Sequence, residues 1–335
     1  MAKMGWLMPS TPKGKALVTG ATGFIGGNLV PLLQQAGYAV RVLVRDPARV
    51  GLDDVELFGG DLLDPASLAG IEEGIDLVVH GASMLGKWGT PASLLYELNV
   101  RGSLELLKRF RGQPLERYIH LSAGGVTGPL EDRSVDESHP CKPATAYERT
   151  KYEAERAVLE RSRELAIPAT VVRPTFTYGP GDPHKIALFR AVKRGRYVFI
   201  GGGESVNHPV FIDDLVHGIL LAIERGRVGE VYIIGGERPV TKRELVYAIA
   251  DALGVRRPRI NIPRWFAAIA AWKLELAGYL LRFEPILTRS RVMMMADNFG
   301  YSIAKARDEL GYAPQTDLRR GIELTVRSYQ EAGEL

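Results

Sequence analysis

Two side chains in this sequence have the types and the spacing to move a proton. Tyr147 and Lys151 stand four residues apart in Tyr147-Glu148-Arg149-Thr150-Lys151, so on a helix both lie on one face. A phenol with an ordinary pKa of about 10 is a poor base near neutrality. A neighbouring ammonium favours the phenolate and draws that value down, so the pair can pass a proton to or from a substrate oxygen. Alone, a tyrosine and a lysine at this spacing describe many ordinary helices. The residues upstream give the pair its weight.

The elements that must position it alternate. Short apolar runs at Lys15–Thr19, Tyr38–Val44, Val55–Phe58, Ile75–His80, Arg117–Leu121 and Ala169–Val172 read as strands. Between them, helical spacing predicts helices at Phe24–Ala36, Pro65–Glu72, Pro91–Arg111 and Thr145–Leu165, with Pro31 bending or weakening the first. Strand and helix in turn predict an α/β fold, a Rossmann-like doubly wound parallel sheet with ligand at the carboxyl ends of its strands. After Arg173-Pro174 the texture becomes turn-rich, with further helices at Asp213–Glu224, Thr241–Leu253 and Ile303–Leu310. The reading divides the chain into a dinucleotide-binding domain at 14–175 and a smaller mixed α/β substrate lobe at 176–335. Val231–Ile234 returns to the sheet, and residues 1–13 form a loosely ordered leader arm.

The first strand runs into Gly20-Ala21-Thr22-Gly23-Phe24-Ile25-Gly26. Glycines spaced in this way let the backbone turn tightly and approach a pyrophosphate, and the helix that follows offers N–H groups and a positive dipole end. The end of the second strand sets the cofactor's flavour. An acidic residue there would hold a ribose 2′-hydroxyl; the sequence instead places Arg45, whose guanidinium suits a 2′-phosphate. NADP(H) is therefore favoured over NAD(H). Asp61 and Leu62 follow the third strand, placed to flank an adenine. Gly81, Ala82 and Ser83 follow the fourth, passing close to the cofactor's middle.

Bulk properties narrow the classes. The 335 residues are 46% hydrophobic and 24% charged with a net charge of +4, and no long basic run suggests a nucleic-acid partner. A single cysteine, Cys141, excludes an internal disulfide and suits a reducing compartment such as the cytoplasm. The six histidines, at 80, 120, 139, 184, 208 and 217, lack metal-ligand spacing, so no metal is expected. Trp265–Phe283 is apolar over nearly a membrane's span, but Lys273, Glu275 and Arg282 interrupt it. A buried or lid-like amphipathic helix is expected there, ahead of one lying on a membrane surface.

The glycine motif TGATGFIGG, GDL at Gly60–Leu62, HGAS at His80–Ser83, NVRGS at Asn99–Ser103, YERTK and RPTFTYGPGD at Arg173–Asp182 together resemble the blocks of the extended short-chain dehydrogenase/reductases, in that family's order. The resemblance implies that Tyr147 is the proton donor or acceptor. Lys151 would lower its pKa and hold the nicotinamide ribose, and a hydroxyl after the fifth strand would polarise the substrate oxygen. That hydroxyl falls on Ser122, with Thr127 as second candidate; Ala123 takes one of the places where the family carries paired hydroxyls. Asn99 and Pro174, inside matching blocks, join the cofactor-side residues. Where sugar-nucleotide enzymes of the superfamily carry a phosphate-binding arginine, this chain has Asn207, and an amide cannot replace a cation facing a diphosphate.

VRVLVRDP at Arg41–Pro47 resembles the dihydroflavonol reductase branch, and the tail from Glu284 resembles the 3β-hydroxysteroid dehydrogenase branch. The implied function is an NAD(P)-dependent oxidoreductase interconverting a secondary alcohol and a ketone on a mostly apolar small molecule. Met84, Leu85, Trp88, Phe176 and Tyr178 are candidates for its substrate wall. The alternatives are an NDP-sugar epimerase or dehydratase and a non-catalytic dinucleotide-binding protein. A homodimer is carried over from the resemblance.

Overall fold

A computed structural model describes residues 13–335, so the expected leader arm lies outside the described residues except for Lys13. The apolar runs form β1 (Lys15–Thr19), β2 (Ala39–Val44), β3 (Val55–Gly59), β4 (Leu77–His80), β5 (Arg117–Leu121) and β6 (Ala169–Pro174). The helices between them are α1 (Phe24–Gln35), α2 (Ala92–Tyr96), α3 (Gly102–Arg109) and α4 (Ala146–Glu164). A single wide turn at Glu97–Arg101 joins α2 to α3, so the expected long helix is present with one π-type insertion. α1 continues unbroken through the exposed Pro31. The helix expected at Pro65–Glu72 is only one tight turn, Pro65–Leu68, capped by Asp64. Gly70 and Gly74 follow it at φ +83° and +67°, backbone that cannot continue a helix.

Past β6 the pieces are shorter: β7 (Phe176–Tyr178), α5 (Ile186–Lys193), β8 (Phe199–Ile200), β9 (Val206–Asn207), β10 (Pro209–Phe211), α6 (Ile212–Arg225) and β11 (Val231–Ile234). β11 returns to the main sheet, whose seven strands run β11-β6-β5-β4-β1-β2-β3, each pair parallel. The order reverses between β1 and β4, the switch point at which this architecture binds ligands.

Alternation along the central strands splits the core. Val18 and Val79 face one side with Leu29, Leu33 and Ile219 from α1 and α6; Leu17 and Val78 face the other with Leu106, Leu107 and Val158 from α3 and α4. The remainder comprises β12 (Val240–Thr241), α7 (Lys242–Ala252), β13 (Asn261–Ile262), α8 (Arg264–Leu281), α9 (Arg289–Ala296) and α10 (Leu318–Glu331). α8 corrects an expectation. It is not a buried helix: only Ala267, Ala271 and Gly278 are buried, packed against α9 and the chain around Pro285, while its large side chains are exposed.

Candidate active site

The start of α4 is fixed by its own sequence. Thr145 Oγ1 accepts from Glu148 N at 3.2 Å while Glu148 Oε2 accepts from Thr145 N at 2.9 Å, a reciprocal cap that sets Tyr147 in the first turn. One turn on, Lys151 is buried and its Nζ donates to Leu121 O, the last carbonyl of β5, at 2.5 Å. One turn further, Glu155 meets Arg173 of β6: Arg173 Nε donates to Glu155 Oε2 at 2.9 Å, and both side chains are almost wholly buried. Tyr147, Lys151 and Glu155 thus form one stripe anchored to the sheet.

Burial lowers the Lys151 ammonium to about 8, against the opposing pull of the Glu155 carboxylate. His80 and His120 lie behind it with ring centroids 5.4 Å apart. Burial, with the Lys151 charge, holds both well below the usual histidine range, so they stay neutral and Lys151 is the cation of this floor. Tyr147 departs from expectation. Its ring keeps some exposure, yet packing around it is dense. Burial pushes the phenol above its ordinary value against a downward pull from the nearby Ser83 hydroxyl; Glu148 adds to the rise.

Ser83 stands on the loop after β4, which a buried amide holds in place. Asn99 Oδ1 accepts from Met84 N at 2.7 Å, and its Nδ2 donates to Met84 O at 3.0 Å and to Thr150 Oγ1 at 3.0 Å. Thr150 in turn donates to Tyr147 O at 2.9 Å. One buried amide therefore ties the Ser83–Met84 backbone to the first turn of α4. Asn99, expected on the cofactor side, has its polar atoms committed to this tie. Ser83, also expected there, stands against the phenol.

Neither hydroxyl after β5 is hydrogen-bonded to the phenol. Ser122 Oγ touches neither solvent nor a hydrogen-bond partner. Thr127 Oγ1 donates back to Gly124 O and Gly128 O, each at 3.2 Å. Ala123, half-buried between them, has only a methyl.

The glycine loop has the shape a dinucleotide requires. Gly20 is at φ +74°, and a Cβ there would lie 2.8 Å from Ala82 N; one on Gly26 would lie 2.3 Å from Gly20 O. α1 starts at Phe24 with Gly23 as its cap and no side chain bonded across its N–H groups. Thr22 is exposed beside it, and Ile25 is half-buried against the core. The loop has bare backbone and an uncapped helix start where a pyrophosphate would lie, so these residues fit a dinucleotide. Arg45 follows β2 directly and is exposed, while Asp46 Oδ1 accepts from Ala48 N at 3.2 Å. Gly81 and Ala82 run beside Thr19, whose Oγ1 accepts from Ala82 N at 3.2 Å. Asp61 is half-buried beyond β3, but Leu62 turns into the core against Gly102. Pro174 ends β6 in register with Ile234.

The expected substrate wall divides. Leu85 and Trp88 are exposed on the loop after β4, with Met84 half-buried beside them. Phe176 is half-buried beneath Lys185, whose Nζ lies 4.7 Å from its ring. Asn207 is half-buried in β9, opposite Val240. Tyr178 is a correction: it is a core residue, edge-on to Phe211 at 5.8 Å, with its hydroxyl against Gly321 of α10. It borders an open, charged cleft between α7 and α10 that contains none of the proton-moving side chains.

Glu155 and Arg173 escaped the sequence reading as a pair. Tyr147, Lys151 and Glu155 at successive i+4 positions were a signal for the first, but its partner lies on another element.

Comparison with known proteins places this arrangement among relatives. The profile described as "NAD dependent epimerase/dehydratase family" matches residues 16–235. The chain is similar to "Sterol-4-alpha-carboxylate 3-dehydrogenase, decarboxylating" of Mus musculus, 28% identical over 94% of this chain and 91% of that protein. It is 30% identical, over 96% of this chain and 98% of the relative, to "4-hydroxy-2-methyl-3-oxo-4-farnesyl-3,4-dihydroquinoline-1-oxide ketoreductase" of Stigmatella aurantiaca. Among solved structures, the dTDP-glucose 4,6-dehydratase DesIV of Streptomyces venezuelae, with NAD and TYD bound, aligns with a TM-score of 0.76. It is 28% identical, over 95% of this chain and 97% of that one.

Proposed function

The chain belongs to the NAD dependent epimerase/dehydratase family, and on that premise we propose that it interconverts a secondary alcohol and a ketone on a mostly apolar substrate, with NADP(H) preferred to NAD(H). The observation that carries the reading is the tyrosine–lysine stripe of α4 seated at the carboxyl end of β5. The names of two full-length relatives, a 3-dehydrogenase and a ketoreductase, favour alcohol–ketone chemistry. The neutral Asn207 weighs against a sugar diphosphate.

The glycines at 20, 23 and 26 with the start of α1 would hold the pyrophosphate, Arg45 the ribose phosphate and Lys151 the nicotinamide ribose. A bound nicotinamide supplies the hydride in the reductive direction and accepts it in the oxidative one. Tyr147 donates its phenolic proton to the carbonyl oxygen as that oxygen becomes an alkoxide. Burial keeps the phenol protonated at neutral pH, which favours this donating, reductive role. Lys151, still largely protonated at pH 7, supplies positive charge beneath the oxygen as it turns negative.

Ser83 supplies the hydroxyl beside that oxygen in this reading. Its support is the downward pull of the Ser83 hydroxyl on the Tyr147 phenol, the Asn99 tie that holds its loop, and the burial of Ser122 Oγ. Leu85 and Trp88, exposed on the same loop, are the wall we assign to the substrate's apolar body.

The test is oxidation of NADPH and NADH with ketosteroids, flavonoid-like ketones and UDP-sugars as partners. The expected result is turnover of an apolar ketone with NADPH, abolished in Tyr147→Phe while NADPH still binds. Turnover of a UDP-sugar with the cofactor retained and regenerated would overturn the reading, as would normal turnover by Tyr147→Phe. Arg45→Asp should weaken NADPH far more than NADH; equal weakening would remove the preference for the phosphate form.

A further inference from the structure

α8 is built inside out. Its body-facing side is made of small residues, Ala267, Ala271 and Gly278. A Cβ on Gly278 would lie 2.6 Å from Pro285, so the returning chain packs directly on the helix backbone there. Glu275 fastens α9 to the same side, accepting from Arg289 N at 2.8 Å and Nε at 2.6 Å. The large side chains point the other way. Trp265, Ile269, Trp272, Leu276 and Tyr279 follow one another at i+4, i+3, i+4 and i+3, the spacing of a single helical face, and all are exposed. Tyr279 is 79% exposed, and Ile286, on the loop that follows, 84%. Over 18 residues this face runs roughly 27 Å. No helix among the described residues is long and apolar enough to cross a membrane.

Charge identifies what covers the face. Residues 256–291 hold eight lysines and arginines and two acids, a net +6; since the whole chain is +4, the rest is −2. Both acids are neutralised within the segment, Glu275 by Arg289 and Glu284 by Arg291. Arg256, Arg259, Lys273 and Arg282 are exposed and form no ion pair among the described residues. The chain's excess positive charge therefore lies in the segment that carries α8, where Arg257 and Arg264 pair with Asp251 and Asp297 beyond it and the other four cations stay unpaired among the described residues. A second copy of the chain is a poor occupant. Twofold self-association would bring one +6 segment against another and leave those cations facing like charge.

We propose that the outer face of α8 and the loop after it dock this protein on an anionic lipid bilayer surface. The apolar stripe enters the boundary between headgroups and acyl chains, and the unpaired cations of the same segment, Lys273 and Arg282 first, meet lipid phosphates. The docked helix lies in the plane of the membrane. This inference rests on α8 alone and not on the proposed reaction, and its readout involves no turnover.

The experiment is flotation of the purified full chain with phosphatidylcholine vesicles and with vesicles containing about one third phosphatidylglycerol. The expected result is at least tenfold stronger binding to the anionic vesicles, falling steeply as salt approaches about 0.5 M. Lys273→Glu with Arg282→Glu should abolish that preference. Trp272→Glu with Leu276→Glu should abolish binding to both vesicles while leaving the melting temperature and NADPH binding unchanged. Equal binding to neutral and anionic vesicles would overturn the proposal. So would no binding to either, accompanied by a dimer that Trp272→Glu dissociates, which would assign the face to a second copy.

Discussion

α4 and α8 are nearly equal in length, 19 and 18 residues, and their compositions are inverted relative to their surroundings. α4 is dense in Glu, Arg and Lys, yet it buries Lys151 and Glu155 against the sheet. α8 is dense in Trp, Leu and Ala, yet it hides only its smallest residues. The difference lies in what each helix was given to face. In α4 each buried charge has a partner waiting, Leu121 O for Lys151 and Arg173 for Glu155. In α8 no surface among the described residues covers the tryptophans. Buried charge in this chain is a device for holding a proton-transfer site, and exposed apolar surface is a device for meeting something outside it.

The comparison breaks most readily at Glu155. Glu155→Leu leaves Arg173 buried without its counter-ion and should cost about 3–5 kcal/mol in chemical denaturation; a loss under about 1 kcal/mol would mean that the pair is not what seats α4.

Lys151 tests the cost of the buried cation. Its value of about 8 lies below the ordinary 10.5, so at intermediate pH the unfolded chain binds the proton that the folded chain has released. Stability should then rise between about pH 8 and 10, with the penalty of burial, about 3 kcal/mol, fully present below that window. Lys151→Met should be more stable than wild type at pH 7 and should lose Lys151's share of the rise. Lys242, also held near 8 by burial, keeps its own share in both proteins. Identical pH profiles would show that Lys151 is solvated.

Ser83→Ala should lower turnover by roughly 10–100-fold at unchanged NADPH affinity, with Ser122→Ala within about threefold of wild type. The reverse ranking would return the role to the residue after β5. The smallest effect belongs to α8: Leu276→Gln, on the exposed stripe, should change stability by no more than about 0.5 kcal/mol. A loss of several kcal/mol would mean that the face is packed on protein.

How far the chain could be read before its structure follows the same division. β1 and β5 were legible to the residue because each is a short apolar run between turn signals. The stripe on α4 was legible because Thr145 and Glu148 announce the helix start and Tyr147 and Lys151 share a spacing. Glu155 was not, because its burial is decided by Arg173, on another element. Ser83 was placed beside the cofactor from its position after β4; the tie of its loop to α4 through the Asn99 amide, sixteen positions on, leaves no local signal. Tyr178 was taken for a wall because an aromatic after β6 reads the same whether it faces a ligand or Gly321 of α10. The turn at Pro65–Leu68 falls short of a helix for a local reason, two glycines at positive φ.

The late return of β11 bears on how this chain is made. β6 is buried along its whole length, and its outer edge is covered by β11, which begins only at Val231. On a ribosome adding roughly 5–20 residues per second, that edge stands open for several seconds after β6 has emerged. During that interval the nascent chain presents an unpaired parallel strand able to pair with a neighbouring chain. The hazard belongs to synthesis, and β11 ends it.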